Sequence, residues 1–394
     1  ADTRALDSME ETQKQPALGS SYFTTGCPVS VMYLPAKIRW LQYHHPEIID
    51  IAHGFVSIKE YVLYRLTGEW VVDYSLASGT GLLDLRERRW EDNLLGELGL
   101  DPEKLGRLVD GTQTLALTPG AVSELGEDFP LVVGSGDGPL ANLGSGAAIY
   151  NDCVATIGTS GAIRVFSAEP LLDREQRTWC YMLDRDTYVA GGAINNGGLV
   201  LTWLRDTLGL SGEEYEVINA YVRDVPLGSR GLLFLPFLTG ERCPGWNPYA
   251  RGLVVGLDLS HGQRELARAA MEGVTFRMYS VYRVLEELTG YHGELLVNGG
   301  FTHSDIWLQI MADIFGRRIV AHQNNEGSAL GAVVMGMKAM GLIDDYRSLD
   351  YKAVVKAVKK PNGDHHRQYQ KVYRLYEEIY RVNAPLFRQL ATLR

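Results

Sequence analysis

Residues 293–322, GELLVNGGFTHSDIWLQIMADIFGRRIVAH, carry the signals of a strand, a helix and a second strand. The apolar run LLV ends at a pair of glycines, which is typical of a buried strand that turns sharply. Thr302 and Asp305 have the spacing of a capping box, and Gly316 is a stop for the helix that they predict. The short run RRIVAH follows as another strand. Strand, turn, helix and strand in this order predict an α/β domain.

Glycine-rich turns follow apolar runs at two further places upstream. VVGSGDGPLANLGSGA, residues 132–147, surrounds Asp137 with glycines. TYVAGGAINNGGLVLTWLRD, residues 187–206, predicts a strand, a turn and a helix. Between them, VATIGTSGAIRVF predicts a hairpin that turns from Gly158 to Gly161. Backbone N–H groups in such turns bind phosphate, so the turns that end strands indicate nucleotide binding.

Helical patterns occur in both halves of the chain. Residues 1–125 are predicted to be mostly helical. Ser260 is a candidate N-cap with Gln263 as its capping-box partner, and Gly290 ends the helix that follows. The tail carries tyrosines at helical spacing, which we interpret as core packing: Tyr369, Tyr373, Tyr376 and Tyr380.

The composition excludes several classes of protein. The 394 residues include 43 glycines and have a net charge of −10, with lysine and arginine scattered. This argues against binding to nucleic acid or to a membrane surface. No apolar run approaches the ~18 residues of a membrane helix, and the polar start is not a signal peptide. Four distant cysteines indicate buried thiols of a cytoplasmic protein: Cys27, Cys153, Cys180 and Cys243.

Common nucleotide and metal motifs do not fit the sequence. It contains no G-x-x-x-x-G-K-[ST], and GSGDGP has proline where the third glycine of G-x-G-x-x-G belongs. The nine histidines show no metal-ligand spacing. We therefore assign no residue as a metal ligand.

Residues 252–272, GLVVGLDLSHGQRELARAAME, resemble the second signature of the FGGY carbohydrate kinase family along its full length. GERCPGWNPYARG, GTSG and VNGGFTHSDIWLQIMADIFG are similar to other blocks of that family. MYLPAKIRWL resembles its first signature, with Leu34 where the family has a small residue or proline. The resemblance extends from residue 1 to about residue 385.

This resemblance implies an α/β fold of the actin-like ATPase, ribonuclease H-like type. It implies an N-terminal domain over residues 1–138 and an ATP-binding C-terminal domain over residues 139–394. It also implies a phosphotransferase that moves the γ-phosphate of ATP, with Mg²⁺, to an alcohol group of a sugar. A structural actin-like ATPase is disfavoured by the sugar-kinase blocks.

Asp137 occupies the position of the catalytic base of the family. A carboxylate within hydrogen-bond reach can accept the proton of the attacking hydroxyl. Without the resemblance, Asp137 could equally cap the helix that starts near Pro139 or form an Asp-Gly turn.

The same resemblance assigns further residues to ATP. Gly158 and Thr159 match a phosphate loop and Gly198 faces the phosphates, while the others lie along the nucleotide or its adenine: Leu201, Thr202, Gly299, Gly300 and Ser304.

The turn at Gly299 and Gly300 also has a purely structural interpretation, which is tight packing between a strand and a helix. Glu241 and Arg242 belong to another block of the family, and we interpret them as an ion pair between the domains.

The segments ADTRA and TGCPVSVMY resemble the gluconate kinase branch of the family. Asp2 and Met32 are candidate substrate contacts beside Asp137, although Asp2 could instead cap a helix. The expected substrate is a small sugar or sugar acid, gluconate first. A xylulokinase or another polyol kinase is the alternative, and a non-catalytic nucleotide- or sugar-binding remnant is the alternative of another class. A homodimer is compatible with the resemblance.

The sequence departs from the family in one motif. Family members begin with a hairpin carrying D-x-G-T-[TS], whose aspartate helps to hold Mg²⁺, and the 394 residues contain no such motif. We interpret the N-terminal domain as truncated at its start, or the chain as a degenerate relative. We therefore expect it to bind ATP through residues 198–304 and to have little kinase activity by itself.

Overall fold

The computed structural model describes residues 4–147, 152–209, 214–322, 326–348 and 354–393. The chain forms two compact units. Unit 1 contains Ala1–Tyr150, Phe166–Ala190 and Glu326–Tyr351; unit 2 contains Asn151–Val165, Gly191–Asn325 and Lys352–Arg394. The boundary at residue 138 stays a prediction.

The helices, in chain order, are α1 (Leu6–Lys14), α2 (Pro16–Gly19), α3 (Tyr22–Thr25), α4 (Leu34–His44), α5 (Pro46–Ile51), α6 (Ile58–Thr67), α7 (Tyr74–Ser78), α8 (Asp92–Leu98), α9 (Pro119–Leu125), α10 (Asp137–Gly144), α11 (Leu199–Thr207), α12 (Glu214–Val222), α13 (Gln263–Thr289), α14 (Asp305–Phe315), α15 (Gly327–Ala339) and α16 (Gly363–Ala391). The strands are β1 (Val71–Asp73), β2 (Leu83–Asp84), β3 (Arg89–Trp90), β4 (Arg107–Val109), β5 (Thr114–Leu115), β6 (Leu131–Val132), β7 (Cys153–Ile157), β8 (Gly161–Ser167), β9 (Trp179–Asp184), β10 (Thr187–Ile194), β11 (Leu233–Leu235), β12 (Leu253–Val255), β13 (Leu295–Asn298), β14 (Ile319–His322) and β15 (Val355–Lys359).

Unit 1 is built from short helices and short strand pairs. β1 pairs with β4 in parallel, whereas β2 pairs with β3 and β5 with β6 in antiparallel fashion. The expectation of a mostly helical start is therefore confirmed, with small strand pairs added. One apolar cluster of this unit joins α2, α4 and α8 through leucine and isoleucine side chains: Leu18, Ile38, Leu82, Leu94, Leu95, Leu98 and Leu100.

Helices α10 and α15 of unit 1 pack with their backbones in close contact. A Cβ atom on Gly144 would lie 1.9 Å from the carbonyl oxygen of Gly327. One on Gly331 would lie 2.0 Å from that of Leu140. Because a separation below 3.0 Å is never tolerated by a real Cβ, only glycine permits this crossing. The small residues of the GSALGAVVMG segment thus fix where α10 lies on α15.

In unit 2 the strand order is β15-β14-β13-β7-β8. β13 runs parallel to both β14 and β7, while β8 and β15 are antiparallel to their neighbours. Parallel β7 and β13 end at the same edge of the sheet, where Asn298 lies opposite Thr156. The turns after these two strands therefore start side by side.

The long helices α13 and α16 form the apolar core beside this sheet. Phe276 of α13 contacts the rings of three tyrosines of α16, which are 1% exposed: Tyr369, Tyr373 and Tyr376. The predicted packing role of this tyrosine stripe is confirmed for these three residues. Glu272, also buried, accepts hydrogen bonds from Tyr369, Arg268 and Ser229 and so links the two helices to the preceding loop.

Two predicted helix caps are wrong by two residues. α13 begins at Gln263 with Gly262 as its N-cap, and the Gly262 N–H donates to the Glu265 carboxylate. The predicted cap Ser260 instead donates to Asp258. Ser304, not Thr302, caps α14, since the Thr302 hydroxyl donates to the carbonyl of Gly299. In each case the hydroxyl of the predicted cap residue instead forms a hydrogen bond within a nearby turn.

The four cysteines are buried and free, as the sequence predicts. Within the described ranges, no helix is both long and apolar enough to cross a bilayer.

Candidate active site

Asp137 is the first residue of α10, and its side chain is exposed. The N-cap of this helix is Gly136, which contributes no side chain. The Asp137 carboxylate accepts a hydrogen bond from the backbone N–H of Gly138 at 2.7 Å, as in an Asp-Gly turn. The Asp137 carboxylate is open to solvent, where it can meet a hydroxyl and accept its proton.

The turn that leads to Asp137 is hydrogen-bonded to α7. The backbone N–H of Gly136 donates to the hydroxyl of Ser75 at 3.2 Å. Asp73, which is fully buried, caps α7 and forms a 2.6 Å ion pair with Lys59. Sequence reasoning missed these supporting residues, because they lie some sixty positions before the turn.

Gly158, Thr159 and Gly198 are brought together in unit 2. The N–H groups of Gly197 and Gly198 donate to the carbonyl oxygens of Thr159 and Gly158, at 3.1 and 2.7 Å. Leu199 also donates to Thr159. The first amides of α11 are therefore engaged with the β7–β8 hairpin. Gly198 serves as a close backbone contact, and its own N–H group is not available to an anion.

The tip of this hairpin presents two hydroxyl groups to solvent. Thr159 and Ser160 are exposed, and within the described part of the chain neither hydroxyl has a hydrogen-bond partner. On α11, Leu201 is fully buried, whereas Thr202 is partly exposed one turn into the helix. Thr159 is thus available to a ligand, while Leu201 belongs to the core. Ser160 is a donor that the sequence prediction did not include.

Gly299 directly adjoins the end of β7. A Cβ on Gly299 would lie 2.4 Å from the carbonyl oxygen of Ile157, and its φ of +98° favours glycine. Gly300, partly exposed, begins the short 3₁₀ turn to His303. Ser304 is fully buried and is bonded to Asn219 and to the backbone of Trp307. Its hydroxyl therefore forms hydrogen bonds inside the protein and does not face a ligand.

Two asparagines that precede the glycine turn anchor it to the loop after β11. The side chain of Asn196 accepts from Thr239 and donates 2.8 Å to the carbonyl of Gly240. Asn195 donates its backbone N–H to Glu241 and its side-chain amide to the carbonyl of Thr239. The sequence signal for this anchor is the NNGG run at residues 195–198.

Glu241 forms a buried ion pair inside unit 2, so the interpretation of an ion pair between domains is wrong. Its partner is Arg277 at 3.4 Å, and both side chains are at most 3% exposed. The guanidinium lies 5.2 Å from the ring centroid of Phe237 and 5.1 Å from that of Tyr380, and these two rings also contact each other. Burial raises the pKa of Glu241 above its ordinary value, against the opposing effect of Arg277. Arg242 donates to the carbonyl of Ile194 at 3.1 Å, beside the glycine turn.

The two predicted substrate contacts give different outcomes. Met32 lies in a turn before α4 and is partly exposed, so it is available to a ligand. Asp2 lies outside the described residues.

Among the residues that the structure describes, no group of three or more His, Cys, Asp or Glu side chains is arranged to hold a metal.

Comparison with known proteins identifies the family. Residues 1–144 match the N-terminal domain, and residues 153–340 the C-terminal domain, of the FGGY family of carbohydrate kinases. The chain is 38% identical to a gluconokinase of Bacillus licheniformis over 88% of its length and 39% identical to one of Bacillus subtilis over 82%. The matched parts span 70% and 66% of those proteins. A xylulose kinase of Bacillus subtilis is 29% identical over 77% of the chain and 62% of that protein.

Solved structures have the same architecture. Two from Lactobacillus acidophilus, described as a gluconate kinase and as a ligand-bound xylulose kinase, each superpose with a TM-score of 0.94 at 33% identity. Each match covers 99% of this chain and 80% of the other. These likenesses confirm the predicted actin-like ATPase fold. The chain belongs to the FGGY family of carbohydrate kinases.

Proposed function

We propose that this chain acts as an ATP-dependent kinase of a sugar acid, with gluconate as the acceptor. The observation that carries the proposal is the difference in identity among its relatives. The two gluconokinases are 38% and 39% identical to it, whereas the xylulose kinases are 27–30% identical. The solved structures with the two descriptions match it equally well, so the fold does not discriminate between these substrates.

Asp137 acts as the general base in this proposal. Its carboxylate accepts the proton of the sugar hydroxyl as that oxygen attacks the γ-phosphorus, and the bond to the leaving oxygen of ADP breaks. The exposure of Asp137 and the support of its turn by Ser75 favour this role. Met32 and Asp2 are proposed contacts of the acceptor.

MgATP is the proposed donor substrate. The exposed Thr159 hydroxyl donates to a phosphate, and Gly158 and Gly198 leave room for it. Gly299 and Gly300 form the proposed platform for adenine, with Leu201, Thr202 and Ser304 beneath or beside it. The buried hydroxyl of Ser304 limits its part to shaping that platform. A bound Mg²⁺ would neutralise charge on the phosphates, and no residue that the structure describes is assigned to hold it.

Steady-state kinetics with ATP and gluconate, xylulose, ribulose or glycerol test the proposal. The measurements are made on the 394-residue chain and on the same chain joined to the D-x-G-T-[TS] segment of a gluconokinase. We expect gluconate to give the highest kcat/KM. A preference for xylulose would move the chain to the xylulose kinases. Failure of both proteins to phosphorylate any acceptor, while they still bind ATP, would favour a non-catalytic binding protein.

A further inference from the structure

Two serine hydroxyl groups from distant segments of unit 1 bind the backbone at the candidate base. Before Asp137, the N–H of Gly136 donates to the hydroxyl of Ser75 at 3.2 Å. At Asp137 itself, the backbone carbonyl accepts a hydrogen bond from the hydroxyl of Ser328 at 3.1 Å. The two serines lie on α7 and α15, at 61 and 191 positions from the residues that they bond. We call Ser75 and Ser328 the serine pair.

The turn that the serine pair contacts is rich in glycine, which loses more conformational freedom on ordering than any other residue. Gly134 has a φ of +78°, and its N–H donates to the carbonyl of Gly111 at 2.8 Å. Gly136 and Asp137, which follow, are the residues bonded to the serine pair. A carboxylate on such a turn keeps a single position only where contacts from outside restrict the backbone.

Ser75 is itself held at both ends of α7. Asp73, which is fully buried, caps the start of this helix and forms a 2.6 Å ion pair with Lys59. At the other end, the hydroxyl of Ser78 donates to the carbonyl of Ser75 at 2.8 Å and accepts from the N–H of Met182 at 3.0 Å. Ser75 is also buried, so its hydroxyl has a fixed position.

Ser328 is held by the close crossing of α10 and α15. Gly327, the residue before it, packs against the backbone of α10, since a Cβ on Gly327 would lie 3.1 Å from the carbonyl oxygen of Ala141. Helix α10 begins at Asp137. The crossing therefore keeps the first turn of α15 beside the start of α10, and Ser328 reaches the Asp137 carbonyl from a helix that cannot slide.

We propose that Ser75 and Ser328 are positioning residues of the phosphoryl transfer. They fix the backbone before and at Asp137, and so they keep its carboxylate within reach of the acceptor hydroxyl. The inference rests on the proposed role of Asp137 as the general base. Proton transfer requires a separation of about 2.6–3.2 Å between the two heavy atoms, and a displacement of about 1 Å can cost about 10²-fold in rate.

Steady-state kinetics on the version of the protein that phosphorylates gluconate test the serine pair. We expect Ser75→Ala and Ser328→Ala each to lower kcat about 10-fold, because one of the two contacts remains in each variant. The KM values for gluconate and ATP should change less than about 2-fold. Ser21→Ala and Ser348→Ala are the controls and should keep kcat, since each of these serines donates only to a carbonyl three residues earlier. Melting temperatures confirm that the variants fold.

Position 328 allows a comparison at constant side-chain shape. Threonine and valine are both branched at Cβ, but only threonine carries a hydroxyl. Ser328→Thr should therefore retain turnover, whereas Ser328→Val should lose as much as Ser328→Ala. Equal turnover of the threonine and valine variants would overturn the proposal for Ser328.

A double-mutant cycle separates positioning from general support of the fold. In Asp137→Asn there is no base to position, so neither serine variant should lower kcat further. A further loss as large as in the wild type would rule out positioning. Near-normal turnover of Asp137→Asn would overturn the base and with it the serine pair. A large loss in Asp137→Asn, with both serine variants at the wild-type kcat, would overturn the serine pair alone.

Hydrogen exchange followed by mass spectrometry tests the serine pair without turnover, on the 394-residue chain itself. Ser75→Ala removes the acceptor of the Gly136 N–H, so we expect residues 132–138 to exchange at least about 5-fold faster. Residues 157–160 of unit 2 should be unchanged and serve as the internal reference. Unchanged exchange over residues 132–138 in Ser75→Ala would contradict the proposal, whatever the activity of the chain.

Discussion

At the scale of single residues, Asp137 is the general base that we propose. It is exposed, it lies at a helix N-terminus, and its turn is tied to Ser75. Asn keeps the shape of the side chain but cannot accept the proton at neutral pH. We therefore expect Asp137→Asn to lower kcat by about 10²–10⁴-fold and to leave ATP affinity nearly unchanged.

The activity assay uses the version of the protein that phosphorylates gluconate, and calorimetry gives the ATP affinity. Asp92→Asn is the control, because Asp92 is also the first residue of an exposed helix start. Near-normal turnover of Asp137→Asn would remove this residue from the mechanism.

Gly158 offers a test of the phosphate turn that does not disturb the fold. A Cβ at this position would meet no atom within 4 Å, and its φ is not left-handed. Gly158→Val should therefore fold normally, while its side chain fills the open space beside this turn. We expect the Kd for ATP to rise at least about 10-fold with the melting temperature unchanged.

Gly120→Val, at another glycine with open surroundings, is the control for this variant. Unchanged nucleotide affinity in Gly158→Val would show that phosphate does not lie at this turn.

Asp173 and Arg177 give the protein a pH-dependent contribution to stability. The guanidinium donates two hydrogen bonds to the carboxylate, at 2.8 and 2.9 Å, and the Asp173 side chain is 4% exposed. Burial alone would raise the pKa of Asp173, but the bonds and the charge of Arg177 lower it below 3.8. Because the folded-state pKa is the lower one, the stabilisation is present above the ordinary pKa and is lost as the pH falls through the folded value.

Asp173→Asn should therefore lower the free energy of unfolding by about 1–3 kcal/mol at pH 7. This difference from the wild type should shrink toward zero as the pH falls below 3.8. Urea denaturation at a series of pH values measures it. Asp364→Asn, which removes an exposed pair with Arg367, is the control and should have little effect. A difference that persists at the lowest pH would mean that packing, not charge, explains the loss.

At the scale of elements, the close crossing of α10 and α15 depends on glycines at the contact. Larger residues there would keep the two helices apart. Gly331→Ala would place its methyl carbon 2.0 Å from the carbonyl oxygen of Leu140. We expect it to lower the free energy of unfolding by about 1–3 kcal/mol, since the helices must move apart.

Gly336→Ala is the matched control on the same helix, because a Cβ there meets nothing within 4 Å. It should be neutral or stabilise by roughly 0.5–1 kcal/mol through helix propensity. Urea midpoints of the two variants decide the point. Equal effects would show that propensity, and not the crossing, dominates at Gly331.

The elements differ in how far the sequence predicted them. The β7–β8 hairpin, the strand β13 and the helix stop at Gly316 were predicted correctly, because apolar runs and glycines act over a few residues. The N-caps of α13 and α14 were misplaced. Several hydroxyl and carboxylate groups compete for the same first turn, and the path of the chain selects among them.

At the scale of the whole molecule, we expect the nucleotide and gluconate to slow hydrogen exchange in different units. Asp137 belongs to unit 1, and the turns around Gly158, Gly198 and Gly299 belong to unit 2. Hydrogen exchange followed by mass spectrometry can locate both. We expect a non-hydrolysable ATP analogue to protect residues 157–160, 195–199 and 298–303, and gluconate to protect residues 132–138.

The two ligands are added separately, and a sugar that is not a substrate of the enzyme serves as the control for gluconate. Protection of the Asp137 turn by the nucleotide alone, with the turns of unit 2 unchanged, would contradict the proposed assignment.

The sequence by itself determined the family, the α/β class and the position of the glycine turns, since each is written in short motifs. Only the tertiary structure decided how those turns are used. It engages the amides of Gly197 and Gly198 with the β7–β8 hairpin, commits the Ser304 hydroxyl to Asn219, and pairs Glu241 with Arg277 inside one unit. A motif reports local conformational preference. The partner of a buried polar group depends on which distant segment the fold brings within about 3 Å, and no local pattern encodes that.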